Sequence, residues 1–178
     1  MSHWSDVVTE FTSLEFIESA LTDLGTGKTR LLRDEKTAYG YGRNSQTCDA
    51  VIRGGLHYDV AVHIKDDGMI SLTTDFYPYK NGGVRDEQGT VPVGDVLGKD
   101  FTKLKAYYAA HKSYATAKKR GVKSAMHRIN EGVHQMKNST GKWTEVNSSM
   151  WSRIKKMLPF RDIKQENTNR LWVQCEVN

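Results

Sequence analysis

From Tyr58 the chain alternates, with Tyr58, Val60, Val62 and Ile64 on one parity. It then meets Asp66-Asp67-Gly68 and continues as a second β-rich run, Met69–Phe76. A period of two marks a half-buried strand, and Asp-Gly supplies the positive φ that a tight hairpin turn needs. Strands joined by so short a turn pair antiparallel, because a parallel pair needs a long crossover. The middle of the chain is thereby committed to an antiparallel meander.

Other elements fit around it. Val7–Phe11 reads as a first strand, and Thr12-Ser-Leu-Glu15 as a capping box. Leu14, Ile17, Leu21 and Leu24 then follow at helical spacing until Gly25. Thr29–Leu32 and Cys48–Arg53 are further strand candidates. Residues 80–98, Gly-rich and polar, read as a loop. Phe101, Leu104, Tyr108, His111 and Ala115 lie on one side of a long helix that Gly121 stops. Val122–Ile129 and Arg170–Val177 read as the last two strands. Between them, residues 131–168 form a polar excursion, long for a connection within a domain, in which Ser149–Leu158 is expected to form a short basic helix. With 178 residues the chain suits a single α+β domain. The expected order is β-α-β-β-β-β-α-β-β, an antiparallel sheet covered on one face by two helices with a ferredoxin-like core and an insertion at 131–168 in the last hairpin.

Charge is laid out unevenly. Lys99–Arg128 holds nine basic residues against one acid, whereas the first 27 residues hold five acids and no Lys or Arg. Lys105, Lys112 and Lys119 recur every seven residues, so they share one face of the long helix, and Lys118, Arg120 and Lys123 extend the basic run past its end. Tyr107, Tyr114 and His127 are interleaved with it, and aromatic rings between lysines suit single-stranded nucleic acid. Trp143, Trp151 and Met157, beside Lys155, Lys156 and Arg161, have the anchor-plus-charge composition of an interface.

A second candidate is the loop Gly40–Gln46, where Tyr41, Arg43, Asn44 and Gln46, with nearby Asp75 and Tyr77, suit a small anionic ligand such as a nucleotide. Gly25-Thr-Gly27-Lys28-Thr29 imitates the end of a phosphate-binding loop. It lacks the first glycine, position 22 being threonine, and it follows a helix and not a strand. His57 and His63 show no converging third or fourth ligand, so no metal site and no cofactor are expected. His3, Asp75 and His111 are the residues an enzyme reading would use; no nucleophile motif accompanies them, and a non-enzymatic protein is the stronger expectation. Two cysteines in no paired spacing suit a reducing compartment. No apolar run approaches the ~20 residues of a membrane helix, and no signal peptide is legible, so the expected location is the cytoplasm.

Met1-Ser-His-Trp4 with its acidic first helix, Gly40-Tyr41, Asp49-Ala-Val-Ile-Arg53, Tyr58-Asp59, Thr74-Asp75-Phe76 and Tyr107-Tyr-Ala-Ala-His111 follow one another in an order and spacing that resembles the hypothetical chloroplast frame 35 group. This domain-of-unknown-function family 1257 occurs in chloroplasts, cyanobacteria and tailed phages. The resemblance spans about residues 1–130 and the final strand. Arg43-Asn44 departs from the Gly-Gln of relatives, and the basic, Trp-bearing insertion is more typical of phage members. The family has no established enzymatic activity, so the resemblance implies a fold and a distribution but little mechanism. The basic helix and the 131–168 insertion carry the functional expectation: a small, phage-encoded binding or regulatory protein that engages a host protein or nucleoprotein complex, with nucleic acid itself as a further acidic counterpart and head-to-tail self-association as a third use of the charge.

Overall fold

The computed structural model describes residues 4–24, 27–77, 89–130, 133–137, 141–147 and 170–175. Among them lie eleven strands and three α-helices: β1 (Trp4–Phe11), α1 (Leu14–Asp23), β2 (Arg30–Leu32), β3 (Thr37–Tyr39), β4 (Ser45–Thr47), β5 (Ala50–Arg53), β6 (Val60–Ile64), β7 (Ile70–Asp75), α2 (Val93–Leu97), α3 (Thr102–Lys119), β8 (Ser124–Asn130), β9 (Val133–Lys137), β10 (Trp143–Glu145) and β11 (Arg170–Cys175). Contacts divide the chain into two compact units, Met1–Tyr108 and Ala109–Asn178.

In the first unit the meander forms as its alternation predicts. β6 and β7 pair antiparallel in the register Val60↔Thr74, Val62↔Leu72, Ile64↔Ile70, closed by a turn in which Gly68 takes φ +79°. β5 joins β6, β2 joins β5 and β1 joins β7, giving the sheet order β1-β7-β6-β5-β2, antiparallel at every step. Four antiparallel steps leave β1 and β2 parallel to each other at opposite edges. With α1 between them in sequence they make a split β-α-β unit. The expected single sheet with a ferredoxin-like order is corrected here: three meander strands, not one, separate the two parallel strands. The first unit also holds a two-stranded sheet, β3-β4, and the second unit has a sheet of its own, of four strands in the order β10-β9-β8-β11.

The four strands and one helix absent from the expected order are short. β3, β4 and β10 have three residues each, and β9 and α2 have five. At those lengths neither period repeats often enough to be seen, and partners, not local pattern, decide the conformation.

Residues of both parities are buried along β5 and β7, so both faces of the five-stranded sheet are covered. Ala38 and Cys48 pack with Val51 and Ala61 on one face, and Trp4 closes over the cluster. Burial pushes the Cys48 thiol above its ordinary value and so keeps it protonated and unreactive. α1 buries Ile17, Ala20 and Leu21. Its cap is Ser13, whose Oγ accepts from Phe16 N, one residue later than a capping box on Thr12 requires. The reason is Tyr108: its phenol oxygen, buried against the start of α1, accepts from Thr12 N at 2.8 Å and Ser13 N at 3.1 Å. The Tyr108 ring lies 4.2 Å from that of Phe11 and edge-on to Phe16 at 5.8 Å.

Arg53 and Asp59 form a buried bidentate pair, Nε to Oδ1 at 2.9 Å and Nη2 to Oδ2 at 2.7 Å. Arg53 also donates to Thr37 O and meets Glu35 at 3.3 Å, while Asp59 Oδ2 accepts from Tyr39 N. The carboxylate of Asp59 is the main reason the guanidinium holds its proton above the ordinary value. Asp59→Ala leaves a buried cation without its counter-charge and is expected to cost about 3–5 kcal/mol in urea denaturation. Glu35→Ala, at a half-exposed carboxylate, is expected to cost no more than ~1 kcal/mol. Equal losses from the two variants would refute this division of roles.

Candidate functional site

Two places in the fold gather the candidate residues, one in each unit. In the first unit, the short hairpin β3-β4 presents the loop Gly40–Asn44. Gly42 turns it with φ +64° and has open space around it, while Gly40 lies against the Trp4 ring, where a Cβ would sit only 2.9 Å from it. Gly40 N donates to Asn44 O and Asn44 N to Tyr41 O, which closes the loop on itself. Tyr41 sits edge-on to Tyr77 at 5.3 Å and to Tyr58 at 6.4 Å. Asp75 is buried, and its Oδ1 accepts from Tyr77 N.

Of the loop's candidate residues, the fold thus brings Tyr41 and Tyr77 together, with Asp75 two residues behind. Gln46 is turned to His63, 3.1 Å away, and Asn44 is exposed. Nothing is described of the Arg43 side chain. His57 lies against Thr90 O, so the two histidines weighed as metal ligands each have another neighbour. Among the described residues no three His, Cys, Asp or Glu side chains converge in a way that would hold a metal ion. His3 lies outside the described residues.

The second unit carries the cations. α3 ends at Gly121 as its sequence predicts. Gly121 takes φ +72°, its N–H donates to Lys118 O, and Val122 N donates to Ala117 O, a Schellman closure. Lys112, Lys118, Lys119, Arg120 and Lys123 are exposed, and among the described residues no carboxylate pairs with Lys112, Lys118, Lys119 or Arg120. Lys105, half-buried, lies on the part of α3 that belongs to the first unit. A helix C-terminus attracts cations by its dipole for about 0.3–1 kcal/mol each, which accounts for Lys118 and Lys119 but not for the cations beyond the helix.

β8 is paired on both sides, to β9 and to β11. The register places Met126, Lys137, Trp143 and Val173 in one row and Arg128, Gln135, Glu145 and Leu171 in the next, on the same face of the sheet. There the Arg128 guanidinium lies 4.2 Å from the centre of the Trp143 ring and the Lys137 ammonium 5.7 Å from it. Arg128 Nε donates to Gln135 Oε1 at 2.8 Å.

Three sequence expectations change here. Tyr107 and His127 are buried, so neither can stack on a base; of the interleaved aromatics only Tyr114 is partly accessible. Trp143, expected as an apolar anchor, is a ring with two cations against it. β9 and β10 stand within the stretch expected to be a polar insertion. Arg128 was not among the candidates, because its role depends on a partner strand seven residues away in sequence. Trp151, Lys155 and Lys156 lie outside the described residues, as does the short helix expected over Ser149–Leu158.

No family model, no curated protein and no solved structure matches the chain. No helix among the described residues is long and apolar enough to cross a membrane.

Burial pushes the His127 imidazole below its ordinary value near 6.5, against the smaller opposing effect of its 3.0 Å bond to Gln174. The unfolded chain therefore binds this proton more readily than the native one. The native preference for neutral His127 is intact above pH 6.5 and is lost as pH falls below it toward the depressed native value. Thermal melts from about pH 7.5 to 5 are expected to show falling stability, and His127→Gln a shallower fall. An identical slope in both proteins would exclude His127 as the source.

Proposed function

We propose that this protein is a non-enzymatic binding protein whose second unit engages a polyanionic macromolecular partner: an acidic host protein, a nucleoprotein complex or nucleic acid. The observation that carries the reading is how charge divides between the two units. Residues 109–178 contain fourteen Lys and Arg against five Asp and Glu, net +9; residues 1–108 contain twelve against sixteen, net −4. A uniform surface would spread the chain's +5 over both. Exposed cations without local counter-charges are the usual source of sequence-independent affinity for phosphates, and they speed association by steering. The acidic first unit opposes binding of the same partner, which confines contact to the second.

The resemblance to the frame 35 family belongs to the same proposal. It rests on the order of motifs over about residues 1–130, and with it a host complex is the natural partner. Binding of a small anion at Gly40–Gln46 is the weaker reading. The Tyr41–Tyr77 edge favours a ligand there, whereas the buried carboxylate of Asp75 beside Tyr77 opposes a negative one.

Retention on a tagged bait, with and without nuclease, identifies the partner class, and charge reversal locates the surface. Lys118→Glu with Lys119→Glu is expected to weaken binding. If the partner is nucleic acid, the double variant also flattens the dependence of log K on log salt, by about 0.7–0.9 for each phosphate that is no longer neutralised. Affinity unchanged by both substitutions would overturn the proposal.

A further inference from the structure

Resting on that reading, we infer that the β8-β9-β10 face of the second unit is a stacking platform for single-stranded nucleic acid, with Trp143 as the ring on which a base lies and Arg128 and Lys137 as the cations that meet its phosphates. Charge says only that the partner is polyanionic; the face around Trp143 says more. A half-buried tryptophan stands in the row Met126-Lys137-Trp143, with Lys137 directly across from it and Arg128 in the adjoining row. Met126 and Leu171, on the same face at β8 and β11, are buried, so the accessible part of this face is the part around Lys137, Trp143 and Glu145 on β9 and β10.

Both cations are held at the ring, 4.2 Å and 5.7 Å from its centre, and Gln135 orients the guanidinium of Arg128 by accepting from its Nε. A planar guanidinium over an indole covers one face of the ring and carries charge there, so a base stacks on the ring's other face or on the guanidinium itself. Backbone-tracking cations with an accessible aromatic ring are the elements that single-strand binders combine, since every base has a π-face and stacking tolerates any sequence. A duplex keeps its bases stacked on one another and presents phosphates alone, so it gains nothing from Trp143.

The electrostatic setting suits the occupant. Among the described residues of 109–178, nine Lys and Arg stand against a single acid, Glu145, which lies on this same face two residues beyond Trp143. Glu145 is therefore the described charge on this face that works against a phosphate, and its neutralisation is expected to tighten the binding of any polyanion held there; the stacking ring is tested by Trp143 and Arg128.

The test is fluorescence anisotropy of a labelled oligothymidylate of about 12 nucleotides and of a duplex of equal length, with the full chain over a range of salt. Such a length, about 12 nucleotides, falls within the site sizes that single-strand binding folds cover. The wild type is expected to prefer the single strand. Trp143→Ala should weaken it roughly five- to a hundredfold while leaving duplex affinity and the salt slope unchanged; Trp143→Phe should retain most of the affinity. Glu145→Gln should tighten it.

Arg128→Lys, which preserves charge and ring, should also weaken the single strand selectively, so the result does not depend on Trp143→Ala folding. Single-strand affinity unaltered by Trp143→Ala and Arg128→Lys would overturn the platform. If Lys118→Glu with Lys119→Glu still weakened binding, the wider polyanion reading would survive. Absence of oligonucleotide binding at low salt would also overturn the platform, and retention of a nuclease-resistant protein complex would then leave the proposed function standing without it.

Discussion

The buried pair of Arg53 and Asp59 holds more of the first unit in place than any other polar contact described. It joins the end of β5 to the residue before β6, and through Thr37 O and Tyr39 N it fastens the β3-β4 hairpin over the sheet. Removing two charges from water is costly, and the pair offsets that cost only because most of its donors and acceptors are used at once. Asp59 N also donates to Tyr39 O, so backbone and side chain fix the same strand. The loop that places Tyr41 against Tyr77 hangs from this anchor. A hydrophobic replacement would serve stability as well, but it would not dictate where Tyr39 N lies; the ion pair gives the hairpin a single position.

The same logic explains the entry to α1. Tyr108 is buried by its ring against Phe11 and Phe16, and its hydroxyl accepts from Ser13 N, one of the N–H groups that the start of a helix leaves without an intrahelical partner, and from Thr12 N just before it. Backbone groups that a capping box would have satisfied locally are satisfied by a residue far along the chain. The two consecutive non-glycine residues with positive φ, Asp100 and Phe101, immediately precede α3, and Phe101 is fully buried. The cost of their backbone is set against the burial of a large ring, which also meets Phe76 at 5.2 Å.

Charge and packing are separated between the units. The acidic residues of the first unit lie on a fold held by internal polar pairs. Among the described residues, the basic side chains of the second are mostly left to solvent, on the end of α3, the turn after it and the face that carries Trp143. Net positive charge destabilises a compact unit by self-repulsion. A partner that supplies phosphates would relieve that repulsion, so the surface that costs the free protein stability is the one from which binding draws.

The long, strongly patterned elements were legible in the residues alone: the β6-β7 hairpin from its alternation and Asp-Gly turn, α1 from its apolar spacing, and α3 from its apolar side and Gly121. These conformations follow from local periodicity and backbone stereochemistry, which the chain carries wherever it folds. The basic run was equally visible, because charge is a property of composition. Tertiary structure alone decided the rest. Burial removed Tyr107 and His127 as stacking rings; Tyr108, not the local side chains, moved the helix cap to Ser13; and β3, β4, β9 and β10 exist because a neighbouring strand supplies their hydrogen bonds. Trp143 lies against Arg128 only through the pairing of β8, β9 and β10, since cross-strand neighbours are fixed by register and register is a property of the sheet.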